Sequence, residues 1–147
     1  MGETTRLAVC CQVGDALCAF DTEPVQEIVR VQQITRVHRA PASVLGIVNL
    51  RGRIITVVDL RRRLDLGVGE ITDDARILIA EWKGEPIGFL IEREAGAVEY
   101  DPESLRPSPE NLGSRLGGMV LGVFRSEERL VALLDIASVA VIEEATV

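Results

Sequence analysis

Three cysteines, Cys10, Cys11 and Cys18, and a single histidine, His38, are the whole stock of thiol and imidazole in this chain. A thiol nucleophile needs a base at hand, and acid-base work at neutral pH leans on histidine. His38 lies in a connecting stretch beside Arg39 with no cysteine or carboxylate cluster at metal-ligand spacing, so it is expected at the surface. The cysteines are odd in number and form no CxxC pair. They read as small buried hydrophobes of a protein kept in a reducing compartment. No GxxxxGK, GxSxG or HExxH sequence is present. No catalysis, cofactor or metal is expected.

The chemistry left to the chain is recognition. In "GIVNLRGRIITVVDL", residues 46–60, a polar turn interrupts an apolar stretch. Gly52 suits the third place of a type II turn, where φ is positive, and that turn presents Arg51 outward. Arg51 alone would pass for a solvated charge; the sequence around it is what points to binding. Glu27 reads by itself as an ordinary helix-face carboxylate. Asp59 and Asp135 stand at equivalent strand ends, which favours a structural role, accepting from turn amides or holding arginine partners.

Net charge is -7, which argues against general affinity for nucleic acid. The charge is unevenly spread: seven arginines fall between Arg36 and Arg63 with Asp59 as the one acid among them, while Glu81 to Glu103 is mostly acidic. Arg61, Arg62 and Arg63 follow a strand and read as a basic edge that discourages strand pairing, or equally as a partner patch. The alternative function is a nucleic-acid-binding small-barrel module using this Arg-rich segment. It ranks second because stacking aromatics are missing there.

These side chains must be positioned by short strands. At 147 residues, 47% of them hydrophobic and 27% charged, the chain has the size and composition of one globular domain. Aromatics make up only 3%, so Val, Ile, Leu and Ala must build the core. No run reaches the roughly 18 apolar residues of a membrane span and the first residues lack a signal-peptide pattern, so a soluble, unexported protein is expected.

Period two dominates. Leu7 to Val13 and Ala16 to Phe20 flank Gly14-Asp15, a two-residue hairpin turn with glycine in the first place, and that register sets Cys11 opposite Cys18 as thiols within disulfide reach. Residues 23–41 allow a short helix or a strand. Pro41 restricts Ala40 to extended geometry, and Ser43 is an expected N-cap for one turn over Val44 and Leu45. Residues 46–60 read as strand, tight turn, strand, and 65–75 as a Gly- and Asp-rich loop. Trp82, before Lys83-Gly84, is expected to cap a barrel.

The pattern then begins again. "RILIAEWKGEPIGFLIE" from Arg76 lies on "RLAVCCQVGDALCAFDT" from Arg6 at an offset of 70, pairing Gly14 with Gly84 and Phe20 with Leu90. "GVFRSEERLVALLDI" from Gly122 lies without gaps on "GIVNLRGRIITVVDL", pairing Gly46 with Gly122, Arg53 with Arg129 and Asp59 with Asp135. Two copies of one β unit of about seventy residues suggest two small barrels or sheets sharing a core. Where the first copy has Asn49, Leu50, Arg51 and Gly52, the second has Arg125, Ser126, Glu127 and Glu128. The first turn is specialised and the second is an ordinary solvated one.

From about Thr5 to Glu144 the chain resembles the CheW family of bacterial chemotaxis coupling proteins. The resemblance is carried by "VQEIV" (25–29), "AP" (40–41), "GIVNLRGRIITVVDLRRRL" (46–64), "DPESLRPSPE" (101–110) and "RLVALLDIASV" (129–139), with the NLRG turn followed by DLR as its most specific part. It implies a mainly β fold of two pseudo-symmetric SH3-like five-stranded β-barrels sharing a hydrophobic core, with short helices. These would form one domain over residues 1–147, made of two intertwined subdomains. It implies a cytoplasmic, non-catalytic adaptor and scaffold without cofactors. Its partners would be the regulatory domain of a CheA-type histidine kinase and the cytoplasmic hairpin tip of chemoreceptors, without nucleic acid or membrane insertion. Val25, Glu27, Asn49 and Arg51 fall on positions the resemblance makes partner-binding, and Gly52 keeps the turn that presents Arg51.

Overall fold

A computed structural model of the protein describes residues 5–107 and 118–141. Ten strands form two five-stranded sheets. One runs β8-β1-β2-β10-β9, with β1 Arg6–Val13, β2 Ala16–Asp21, β8 Arg93–Tyr100, β9 Val120–Ser126 and β10 Arg129–Leu134. The other runs β3-β6-β7-β5-β4, with β3 Val25–Arg30, β4 Val44–Leu50, β5 Arg53–Asp59, β6 Arg76–Trp82 and β7 Glu85–Ile91. Two short helices, α1 Leu60–Arg63 and α2 Ile136–Ala140, follow β5 and β10. The mainly β expectation holds, and residues 23–41, left open between helix and strand, supply β3.

The two halves of the chain are copies, and the sheets are their exchange product. β1 and β2 correspond to β6 and β7, β3 to β8, and β4 and β5 to β9 and β10. With those substitutions the order of the first sheet becomes the order of the second. The expected offset of 70 is one residue too long: Val13 and Ala16 close the first hairpin as Trp82 and Glu85 close the second, a shift of 69. The glycines misled because they fill different places. Gly14 takes the first turn position with φ +59, whereas Lys83 and Gly84 both have positive φ, at +53 and +78. A two-residue hairpin tolerates glycine at either place. The corrected shift carries Phe20 onto Phe89, and these two rings stack on one another with centroids 5.3 Å apart.

Each sheet closes on itself. Thr35, beyond β3, exchanges two backbone hydrogen bonds of 2.8 Å with Ile47 of β4. Arg106, beyond β8, does the same with Val123 of β9 at 3.0 and 2.8 Å. Closure brings backbone against backbone, and a duplicated glycine makes room. A Cβ on Gly46 would lie 2.1 Å from the Thr35 carbonyl oxygen, and one on Gly122 would lie 3.0 Å from that of Arg106.

Period two sorts the side chains into three apolar layers. Along β6, Ile77 and Ile79 point into the cluster inside the second sheet, with Val48, Leu50, Ile55 and Val57, while Leu78 and Ala80 join the cluster between the sheets, with Phe20, Phe89, Ile91 and Leu134. A strand buried on both faces reads as a continuous hydrophobic run, as β6 does. The third layer fills the first sheet with Ala8, Cys10, Tyr100, Phe124 and Leu133. Cys11 does face Cys18, both as buried free thiols in the shared layer. Each fully buried Leu, Ile or Phe adds about 2 kcal/mol to such layers.

Two local expectations fail. Ser43 caps no turn: β4 begins at Val44, and the Ser43 carbonyl accepts from Asp59 N at 2.7 Å, because pairing with β5 takes up the backbone groups a helical turn would have used. Arg61, Arg62 and Arg63 form helix α1 rather than a basic strand edge, since the carboxylate before them caps a helical turn. The 108–110 end of the "DPESLRPSPE" motif lies outside the described residues.

Candidate functional site

The tip of the β4–β5 hairpin is held by its own residues. Arg51 and Gly52 both have positive φ, at +52 and +84, which makes a type I′ turn rather than the expected type II. Primed turns match the twist of paired strands, and the unprimed turn would splay them. Placing a non-glycine residue there costs about 1 kcal/mol. The Asn49 side-chain oxygen accepts from Gly52 N at 2.9 Å and locks the turn.

Arg51 does not project freely into solvent. Its guanidinium is ion-paired with Glu27 of β3, a residue 24 positions away on the opposite edge of the same sheet. Closure of the barrel makes these edges neighbours. The Arg51 side chain remains 67% exposed and that of Glu27 35%, so the pair sits at the rim of the protein rather than within it. Exposed pairs of this kind add little to folding. Glu27 is on a strand and not on the helix face expected for it. Glu27, Asn49, Arg51 and Gly52 are thus brought together; Val25, on the far side of a β-bulge in β3, packs against the layer between the sheets instead.

The second copy lacks this device. Its tip, Glu127-Glu128, is also a primed turn, with φ +48 and +67, but is acidic, and the shift of 69 puts Gly96 where the first copy has Glu27. Among the described residues neither tip glutamate has an ion pair.

Asp59 caps α1 and Asp135 caps α2. Asp59 accepts from Arg61 N and Asp135 from Ala137 N, each at 3.2 Å, and Asp135 also accepts from the Ser138 hydroxyl at 2.9 Å. Burial raises the Asp59 carboxyl above its ordinary value against the pull of the Arg62 and Arg61 amides. Two of the three arginines after it turn inward: Arg61 donates to Leu66 O at 3.0 Å and Glu92 at 2.6 Å, and Arg63 to the carbonyls of Ser138 and Val139, while the exposed Arg62 lies 3.6 Å from the Asp59 carboxylate. They do not offer the free cationic patch that a nucleic-acid reading requires. His38 is exposed, and Trp82 ends β6 against the shared layer with the Lys83 ammonium 4.5 Å over its ring.

Between the sheets runs an open groove of about 610 Å³ that no single motif announces. Its apolar lining includes Phe20, Tyr100, Leu121 and Leu133 from the first sheet, and Pro24, Gln26 and Lys83 line it from the second. Arg6, Asp21, Glu23 and Tyr100 form a charged cluster along one wall. The sequence signal that could have found it is an aspartate at a strand end before Thr-Glu-Pro, a pattern that favours an Asx turn. Strand β3 separates the two features: Gln26 lines the groove, while Glu27 holds Arg51.

Comparison with known proteins agrees with this architecture. A family model described as the CheW-like domain matches residues 7–144. The chemotaxis protein CheW of Thermotoga maritima is 31% identical over 136 residues, covering 92% of this chain and 87% of that protein. The protein of the same name from Bacillus subtilis is 28% identical over 117 residues, covering 80% of this chain and 75% of its own length. In structure, the scaffolding protein TtCheW from Thermoanaerobacter tengcongensis superposes with a TM-score of 0.86 over 98% of this chain and 93% of that one. At 24% identity that likeness speaks for the fold.

Proposed function

The chain belongs to the CheW-like domain family, and from that premise we propose how it works as a non-catalytic adaptor of chemotaxis-type signal transduction, coupling chemoreceptors to a CheA-type histidine kinase. The observation that carries the mechanism is the ion-paired tip: Glu27 holds Arg51 on a primed turn in the copy that has NLRG, and the other copy has neither residue. Arg51, Glu27 and Asn49 form the surface that meets the regulatory domain of the kinase, with Gly52 shaping the turn and Val25 anchoring the strand beneath. The groove between the sheets takes the helical hairpin tip of the receptor. Apolar groove residues supply most of the affinity there, and the charged rim sets orientation and rejects mismatched partners. Each contact is modest by itself; many copies in an array supply the strength through effective concentration.

The nucleic-acid alternative has no observation in its favour. The role places the protein in the cytoplasm. Among the described residues no helix is long and apolar enough to cross a membrane.

Titration calorimetry against the regulatory domain of the kinase from the same organism tests the proposal. Wild type is expected to bind at micromolar affinity or tighter, with a negative heat-capacity change from apolar burial. Arg51→Glu, which sets two like charges side by side, is expected to weaken binding at least about tenfold and to flatten its salt dependence. Unchanged affinity in Arg51→Glu would remove the tip from the interface.

A further inference from the structure

The groove between the sheets has a twin, because the chain is duplicated. The shift of 69 carries Arg6, Asp21 and Glu23 of its lining onto Ala75, Leu90 and Glu92, and the match of the two helix caps carries Asp135 onto Asp59. All four counterparts line a single second cleft. That cleft keeps only about 20 Å³ against about 610 Å³ for the groove, since the chain's own 65–75 loop lies across it, with Gly69, Glu70 and Ile71 in its lining. Arg61 staples the loop down through Leu66 O, and a Cβ on Gly69 would fall 2.4 Å from the Arg61 guanidinium. On the groove side the counterpart of Arg61 is Ala137, which can supply no such staple.

The hairpin turns beside the two clefts differ in the same way. In the first, Gly14 N donates to the Glu92 carboxylate at 3.1 Å, and the turn is packed against Arg61 and Leu66. In the second, the counterpart of Gly14 is Lys83, and nothing lies within 4 Å of a Cβ placed on the next residue, Gly84. Glu23, the counterpart of Glu92, does not serve this turn because Arg6 holds it at 2.7 Å. Arg6 is saturated by Asp21 and Glu23, Glu81 accepts from the Gln26 amide at 3.3 Å, and Asp135 caps α2. Among the described residues, Lys83 is therefore the charged group of the groove lining whose side chain has neither a hydrogen bond nor a counter-ion. Its ammonium is held 4.5 Å over the Trp82 ring, and its backbone is fixed in a primed turn with φ +53. A cation resting on an aromatic face keeps its other side open to a partner.

In the twin cleft the chain itself supplies an apolar side chain, Ile71, and a counter-ion, Arg61 for Glu92 at 2.6 Å. The open groove needs both from outside. We propose that Lys83 is the specificity-determining residue of the groove, where it takes a carboxylate that the receptor's helical hairpin presents beside its apolar face. The apolar face packs on Leu121, which is 59% exposed on the wall formed by the first sheet. Covering the ammonium with a partner that offers no carboxylate would strip its water without replacement, so Lys83 rejects as well as selects. The identity of the partner rests on the adaptor reading; the missing counter-ion does not.

The test uses the full chain and, as probe, the cytoplasmic hairpin-tip fragment of a chemoreceptor from the same organism, titrated alongside the kinase regulatory domain. Lys83→Glu should weaken fragment binding about tenfold or more and Lys83→Gln about threefold, while Lys83→Arg stays within about twofold of wild type. Affinity for the kinase domain should not change in any of the three, which a loss of fold would not permit. Glutamate is tolerated at such a place: Glu127 opens a primed turn with φ +48. When the acidic residues of the fragment are changed to lysine one at a time, one change should recover binding to the Lys83→Glu protein. Unchanged fragment affinity in Lys83→Glu, or a loss of the same size with every fragment variant, would overturn the proposal and leave the adaptor reading standing. Leu121→Asp tests that reading and should abolish fragment binding. A wild type that binds no fragment, or a Leu121→Asp protein that binds as wild type does, would overturn the groove as the receptor site and the proposal with it.

Discussion

Replacing Gly46 by alanine should damage this fold far more than its surface neighbours would suggest. The new Cβ would fall 2.1 Å from the Thr35 carbonyl oxygen and 2.8 Å from its carbon, backbone atoms that can yield only by moving the closing segment away. That movement breaks both hydrogen bonds between Thr35 and Ile47. Each is worth about 1 kcal/mol net. The φ of +149 adds a further penalty of about 1–3 kcal/mol for a residue with a side chain. The sum is about 3–5 kcal/mol, a large share of the 5–15 kcal/mol typical of a whole domain. Gly52→Ala is the control: nothing lies within 4 Å of its Cβ, so only its φ of +84 matters and the loss should be about 1 kcal/mol. Urea unfolding followed by the fluorescence of Trp82, the sole tryptophan, measures both as midpoint shifts at constant slope. Hydrogen exchange at the Thr35 and Ile47 amides should rise in Gly46→Ala alone. A Gly46→Ala protein within 1 kcal/mol of wild type would show that the closing bridge does not hold the barrel.

The second-copy tip should be improvable. Glu127 and Glu128 both occupy the left-handed region, so Glu128→Gly should raise stability by about 1 kcal/mol, or roughly 3 °C in Tm, and a calorimetric scan showing no rise would refute strain at that turn. The thiols facing each other in the shared layer should be inert. Burial pushes Cys18 up to about 12 and raises Cys11 well above its usual value, so both should react with a disulfide reagent only as fast as the chain unfolds. Rapid labelling of either cysteine in the native protein would contradict their burial.

The sequence made some of this legible for a physical reason. Hairpins are local, so glycine-bearing two-residue turns marked β1–β2, β4–β5 and β6–β7, and the gapless match of Gly46 with Gly122 exposed the duplication together with the equivalence of Asp59 and Asp135. Closure is not local: nothing around Thr35 announces that it will bridge Ile47, and Gly46 becomes intelligible only once that carbonyl lies against it. The turn type was misjudged because Arg51-Gly52 suits a type II turn locally, while strand twist, a property of the pair, selects the primed form. Arg61 to Arg63 were misjudged because a run of like charges after a strand looks solvated until the Asp59 cap winds it into a helix. Arg51 and Glu27 came from the family resemblance. That one grips the other could not be read without the barrel that brings β3 and β4 together.

The exchange of strands between the halves has a consequence for synthesis and survival. β2 lies parallel to β10, and β5 parallel to β7, so each sheet draws strands from both halves of the chain. A cut in the 65–75 loop would leave neither piece a whole sheet, and a chain growing from the ribosome completes the first barrel only once β10 has emerged. The second barrel, which carries the β4–β5 tip, is complete once β7 has emerged, whereas the groove between the sheets waits for β10. By mass action, whatever binds either docking face protects the entire chain against unfolding, including the face it does not touch. A cell that clears unbound copies by proteolysis would keep those docked on either side, matching the supply of adaptor to the partners it joins.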